Sequence, residues 1–513
     1  MIHRRHEAWF VVGENLTGLS TGDVFRLESL FPVGGQGEVY IARRTRDDRT
    51  YALKTPKKET WIALPYDRLE SFEQCFRDES HTNVVLGKHP NVVQAFWFES
   101  GSRQREKAYY NPYLVMEYVE GDRFGGNTLS AQIGNRIEFT VSRMIEIAVH
   151  CLTGLLHAQL VVGREFGREF VHQDIKPPNV MMDASGTAKL GDFGLAKAAG
   201  NVSGRTIGYD SPEQRAGAEI DQRTDVYAMG CVLAEMILRR PLFRGTDDRR
   251  GEAIAAFRPQ STTYGEPVPS DLRDIILRCL AERKEDRVPT VRLLRDQLQC
   301  LHERMWGSPV PVRDDPESLD AEGWFRMGLA FDGLGICERA ISCYDTAIGM
   351  DPLPVKYYCN KGACLCMMNR FEEAISLLES SLNGAKNSDA AKALVSLGYA
   401  RLVSGNTPGA MRDLESAENM DDALPALYMV RGIAHSLQKQ FQAAEQDYMR
   451  ASRLGNPVEA NLALGNLHYY DLRDLPGAIK YCEQALRENP LCRKARELLE
   501  MASQDDDSMS RAD

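Results

Sequence analysis

FPVGGQGEVY, Phe31 to Tyr40, sets Gly34, Gly35 and Gly37 in a turn between two strand-like runs. Glycines there let backbone N–H groups close over phosphate oxygens without Cβ clashes. Val39 follows at the spacing that covers an adenine ring, and 14 residues after Tyr40 the run YALK places Lys54 in mid-strand. An ammonium on an otherwise apolar strand can pair with phosphate oxygens and with a helix carboxylate. The helical run FRDESHTNVVLGKHPNVV offers Glu79 for that carboxylate, with Asp78 one register away. LVMEYVEG reads as a buried strand ending at Met116 and a connector from Glu117 through Val119 to Gly121, whose backbone can hydrogen-bond adenine. Taken singly, each piece is also an ordinary hairpin, surface lysine or strand and turn.

The strongest pattern is VHQDIKPPNVMM, Val171 to Met182, followed by KLGDFGLAK, Lys189 to Lys197, with Asp192 13 positions after Asn179. With these motifs in this order, residues 25–298 resemble the eukaryotic-type protein kinase family. The resemblance implies a bilobal α+β fold, ATP and Mg2+ as cofactors, and phosphoryl transfer to Ser or Thr hydroxyls of a protein substrate. It makes Asp174 the catalytic aspartate, Lys176 the lysine that neutralises the transferring phosphoryl group, and Asn179 and Asp192 the magnesium ligands, whose oxygens suit a hard cation. In RTIGYDSPEQ, Arg205 to Gln214, Thr206 matches the threonine that contacts the catalytic aspartate and lysine. Glu213 with Arg287 matches a buried ion pair, and Asp225 the aspartate that holds the catalytic loop from below; read alone, Asp225 is a helix N-cap after Thr224.

The chain departs from the family pattern in three places. Pro32 stands for the first glycine of the phosphate loop, removing an N–H and fixing φ. Gln173 replaces the arginine that normally pairs with a phosphorylated activation loop. The segment from Asp192 to Glu213 is short and carries only Ser203 and Thr206 as aliphatic hydroxyl side chains before Ser211. An enzyme active without activation-loop phosphorylation is expected. The rival is a pseudokinase scaffold in which the rest of the chain is the functional part, a reading disfavoured by the presence of Lys54, Asp174, Asn179 and Asp192.

The elements that position these residues occupy only part of the 513 residues, a length that predicts two to four structural units. β-rich text from Phe25 to about Phe98, with one helix near Leu69 to Leu86, gives way to helical periodicity between Val141 and Leu298. Proline-rich WGSPVPVRDDPESLD, Trp306 to Asp320, reads as a linker. Beyond it Gly328, Gly362, Gly398, Gly432 and Gly465 recur at intervals of 34, 36, 34 and 33 residues. With Trp324, Tyr344, Ala347 and Pro352 in the first unit, these positions resemble tetratricopeptide (TPR) repeats, which implies an all-α solenoid with a groove for a protein or peptide ligand. The fifth unit carries one inserted residue. The expected plan is an extension over 1–24, a kinase domain over 25–298, a linker over 299–320, about five repeats and a capping helix over 321–501, and a disordered acidic tail over 502–513. Two inserted pieces, GDRFGGNTLSAQIGN and LVVGREFGREF, read as solvated surface loops.

A net charge of −11 and a pI near 5.6 give no global footprint for nucleic acid. Twelve irregularly spaced cysteines fit free thiols in a reducing cytosol, and the Cys364–Cys366 pair reads as buried helix residues rather than a metal motif. The longest apolar stretch, Ile145 to Leu156, is broken by Glu146 and His150, so no transmembrane segment and a cytoplasmic location are expected.

Overall fold

The computed structural model describes residues 10–18, 21–31, 37–57, 66–103, 111–121, 126–135, 138–193, 208–243, 250–312, 318–383, 385, 387–489 and 492–510. Among the described residues six strands close a barrel in the order β1–β2–β3–β4–β6–β5: β1 Asn15–Gly18, β2 Val24–Phe31, β3 Glu38–Arg44, β4 Thr50–Thr55, β5 Ala95–Arg103 and β6 Asn111–Glu117. Alternation decides which side chains enter it. In β4, Tyr51, Leu53 and Thr55 are buried, so Lys54 projects from the opposite face. Phe25, Tyr40, Leu53 and Tyr113 fill the barrel. Helix α1, Tyr66–Val85, packs beside it.

The second lobe is helical: α2 Leu129–Gly134, α3 Val141–Phe166, α4 Pro212–Ala216, α5 Arg223–Leu238, α6 Arg250–Ala256, α7 Ser270–Cys279 and α8 Val291–Trp306. Between α3 and α4 a hairpin of β7, Val180–Met182, and β8, Ala188–Leu190, lies at the base of the cleft. Thr140 caps the start of α3 through its side chain, and Gly167, at φ 63°, ends it in the left-handed region. Among the described residues α3 alone is long and apolar enough to cross a membrane, and most of it is buried inside the lobe.

Among the described residues ten further helices pair as five hairpins: α9 Ala321–Gly333 with α10 Cys337–Met350, α11 Val355–Met367 with α12 Phe371–Ser381, α13 Asn387–Val403 with α14 Thr407–Met420, α15 Pro425–Leu437 with α16 Phe441–Leu454, and α17 Pro457–Asn466 with α18 Leu475–Glu488. α19, Arg493–Ser510, packs on α18. The recurring glycine has one physical cause. A Cβ at Gly328 would lie 2.7 Å from Cδ1 of Tyr344, at Gly362 3.0 Å from Leu378, at Gly398 3.2 Å from Leu414, at Gly432 2.5 Å from Tyr448 and at Gly465 2.9 Å from Cys482. Each first helix gives up its side chain so that a side chain of the second, Tyr or Leu in four of the five units and Cys482 in the fifth, can enter. The inserted residue of the fifth unit is taken up by a π-helical stretch at Leu467–Leu472.

Five readings of the sequence need correction. Part of the 1–24 extension belongs to the barrel, because β1 closes it and Phe10 is buried against Tyr40 with ring centroids 5.2 Å apart. The start of the 299–320 linker is helix: α8 runs to Trp306 because Leu301 and His302 are buried. The tail is helical to Ser510, held by buried Ala502 and by the Tyr469 hydroxyl, which donates to Asp505 Oδ2 at 2.6 Å. Most of LVVGREFGREF is no loop either; Leu160 to Phe166 continue α3, with Val161 and Val162 in the core. The other insertion is helical over α2, while residues 122–125 fall outside the described set.

Candidate active site

Strand β4 and helix α1 meet at Lys54. Its Nζ lies 3.2 Å from Glu79 Oε1 and also donates to Asp192 Oδ1. Asp78 points elsewhere, accepting from Gln74 at 2.8 Å, so the register left open by sequence resolves to Glu79. Burial alone would strip the Lys54 charge, but Asp192 and then Glu79 outweigh it and hold the ammonium well above the ordinary lysine range. Burial likewise opposes ionisation of Asp192, and the Lys54 charge overcomes it, keeping that carboxyl below its usual value.

Asp192 adopts φ 59° and Gln173 φ 67°, two non-glycine residues in the left-handed region at the cleft. Gln173 is held there by fully buried Asp225, whose two oxygens accept the N–H groups of His172 and Gln173, each at 2.8 Å. Asp225 is therefore no N-cap; that position of α5 is Gln222. His172 in turn reaches the Gly191 carbonyl through Nε2 at 3.1 Å and packs on the Phe193 ring at 4.9 Å. The loop that carries Asp174 and the strand exit that carries Asp192 are thus tied by one buried histidine.

On that loop Lys176 Nζ lies 2.8 Å from Asp174 Oδ2. The Asn179 amide donates to the Asp174 carbonyl at 2.9 Å and to Oδ2 at 3.1 Å, which leaves its amide oxygen as the group it can offer a cation. The donor set, one carboxylate and one amide oxygen, fits a hard divalent ion. At the cleft edge Val39 stands directly across from Lys54 in the β3–β4 register. A Cβ at Gly37 would lie 2.7 Å from the Thr55 carbonyl, so the phosphate-loop end can approach β4 only as glycine. Gly34, Gly35 and Pro32 fall outside the described residues, as do Ser203 and Thr206.

On the connector, Met116 pairs with Ala52 and Ala95. The Glu117 N–H is given to the Gln94 carbonyl at 2.9 Å and its carboxylate binds Lys189 at 3.0 Å, so its backbone has only a carbonyl left for a ligand. Val119 is buried at the start of the turn. Sequence reasoning missed Lys189 and also Asn83, whose amide donates to the Glu79 carbonyl at 2.8 Å and the Phe193 carbonyl at 3.2 Å. Asn83 lies one turn from Glu79, and that helical spacing was the available signal.

Below the cleft, Arg287 makes two bonds to Glu213, 2.7 and 2.8 Å, and Gln214 donates to the Gln173 carbonyl at 3.0 Å. Burial works against the Glu213 charge, but Arg287 dominates and pulls its carboxyl to about 2. In the repeats Cys364 does not pair with Cys366: two positions apart on a helix they point away from each other, and Cys364 donates instead to Asp332 Oδ1 at 3.3 Å.

Comparison with known proteins gives the same arrangement a lineage. Residues 26–298 match the protein kinase domain and 429–491 a tetratricopeptide repeat. The chain is 32% identical over 295 residues to serine/threonine-protein kinase PknB of Mycobacterium tuberculosis, covering 55% of this chain and 43% of that protein. It is 31% identical over 317 residues to a probable serine/threonine-protein kinase of Streptomyces coelicolor, covering 59% and 43%, and 34% over 237 residues to a probable PknB of Bifidobacterium longum, covering 44% and 31%. The chain spans less than half the length of these relatives. The kinase-domain match covers over half of the chain, and on that ground it belongs to the protein kinase family, with tetratricopeptide repeats following the kinase domain.

Proposed function

We propose that the chain is a Ser/Thr protein kinase that transfers the γ-phosphate of Mg-ATP to protein hydroxyls. The observation that carries this reading is the meeting of Lys54, Glu79 and Asp192 with Asp174, Lys176 and Asn179 in one cleft. Lys54, kept charged and aimed by Glu79, orients the nucleotide phosphates. Asp174, fixed by Lys176 and Asn179, accepts the proton of the attacking hydroxyl, and Lys176 offsets negative charge on the transferring group. Asn179 and Asp192 would hold Mg2+, which would supply positive charge to offset that of the nucleotide phosphates. Gly34, Gly35, Gly37 and Val39 cover the nucleotide, while Met116, Glu117 and Val119 line its base.

On this reading the enzyme needs no activation-loop phosphate. Gln173 has no charge with which to clamp one, and its left-handed backbone is already held by Asp225 and Gln214. The repeats recruit or sense a protein partner, as a solenoid groove suits, and the enzyme works in the cytoplasm. Phosphoamino-acid analysis after incubation with γ-labelled ATP and a mixed protein acceptor tests this reading. Label on Ser and Thr is expected, and a Ser203→Ala variant should keep activity within about twofold, since it removes no group of the catalytic set. Label confined to Tyr, or a tenfold loss in Ser203→Ala, would count against it.

A further inference from the structure

The extension that ends α3 meets the first repeat hairpin, and that hairpin also packs on the helix that carries Glu79. Arg326 of α9 lays its guanidinium 3.7 Å over the Trp97 ring of β5. Met327 reaches Gly87 just past α1, where a Cβ would stand 3.3 Å from its methyl. At the end of α9, Gly333 lies on the buried His81 ring of α1, and a Cβ there would fall 2.6 Å from Nδ1. On the other lobe, Phe331 packs on Phe166 with centroids 6.5 Å apart, and Arg339 Nε binds Glu165 at 2.7 Å. One hairpin therefore touches both lobes. On the first lobe it meets Trp97, Gly87 and His81, the last of these two positions from Glu79 on α1, and on the second it meets Glu165 and Phe166 of the α3 extension, which the kinase reading left without a role.

Glu79 and His81 are two residues apart on α1, about 200° around the helix. Glu79 faces Lys54 and His81 faces α9. The helix is thus sandwiched between the cleft and the repeats, and a shift of α1 toward α9 would draw Glu79 away from Lys54. We propose that the α9–α10 hairpin is a built-in clamp that holds α1 with Glu79 against Lys54, making Gly333, Arg326 and Arg339 positioning residues for phosphoryl transfer. The proposal rests on the phosphotransfer reading of the site. It supplies the ordering of α1 that a phosphorylated activation loop provides elsewhere, from within the chain.

The test uses the full chain. Gly333→Leu should force α9 off His81, speed amide exchange over residues 66–85 about tenfold, and lower kcat about tenfold with repeats 371–488 exchanging as before. In a Glu79→Gln background Gly333→Leu should cost no further activity, because the coupled group is already gone. Arg339→Glu should give a smaller loss that Glu165→Arg restores, and this pair carries the test should Gly333→Leu not fold. Faster exchange over 66–85 with unchanged transfer, an equal loss in both Glu79 backgrounds, or no restoration by the reversed pair would overturn the clamp. Should the wild type transfer no phosphate, the kinase reading fails by itself, while exchange over 66–85 still decides whether α9 orders α1.

Discussion

Lys54 makes its strongest statement through the carboxylate it selects. Glu79 and Asp78 differ by about 100° around one helix turn, and only Glu79 reaches the cleft. Glu79→Gln should lower kcat about a hundredfold, the scale of removing one preorganised electrostatic partner, whereas Asp78→Asn should change it by less than twofold. Steady-state phosphorylation rates of the two variants check this, and comparable losses would return the register to open. Lys54, Asp174, Asn179 and Asp192 were legible in sequence because phosphoryl transfer demands those side chains in that order near fixed turns. The choice between Asp78 and Glu79 was not, since neighbouring residues on a helix look alike until the packing of α1 on the barrel is known. Nor was the part played by Asn83, which depends on where Phe193 ends up.

At the scale of elements, a single exchange of glycine for space builds every hairpin of the repeats. Gly432→Val would push a branched side chain into the Tyr448 ring. It should lower the stability of the repeat array by about 1–3 kcal/mol, the usual cost of overpacking. Chemical denaturation followed by far-UV dichroism checks it, and a midpoint unchanged within error would contradict the packing account. The 33- to 36-residue glycine interval was legible because each unit repeats the same close approach. The helical tail was not: QDDDSMS has the composition of a solvated end, and what orders it is buried Ala502 and the Tyr469–Asp505 bond, contacts made with an element more than 30 residues earlier. LVVGREFGREF failed in the same way. Its glycines suggested a loop, yet Val161 and Val162 had a core to enter.

The two domains share one hydrophobic core that runs from α3 and α5 into the first repeats. At the seam sits His81, whose pKa is driven down to about 4, first by burial and then by the charge of Arg77. The unfolded value is about 6.5, so between pH 6.5 and 4 the unfolded chain binds the proton that the folded chain refuses. Stability of the joined molecule should therefore rise with pH across that window and gain nothing more from His81 above it. Thermal midpoints from pH 4.5 to 7.5 check this against His81→Phe, which should flatten the curve; parallel curves for the two chains would contradict it. No sequence pattern announces such a seam, because the residues that form it, Trp97, His81, Glu165, Gly333 and Arg339, lie on both sides of a proline-rich stretch that reads as a separator.

On the proposed function, phosphate transfer in the cleft runs through Asp174. Single-turnover transfer of γ-phosphate from Mg-ATP to a protein acceptor, comparing the full chain with Asp174→Ala, tests it most directly. Acid-stable label on Ser or Thr is expected with the wild type, and a rate lower by about 10³ in the variant, the scale of losing a positioned base. Equal label with both chains, or none with either across Mg2+ and Mn2+, would contradict it.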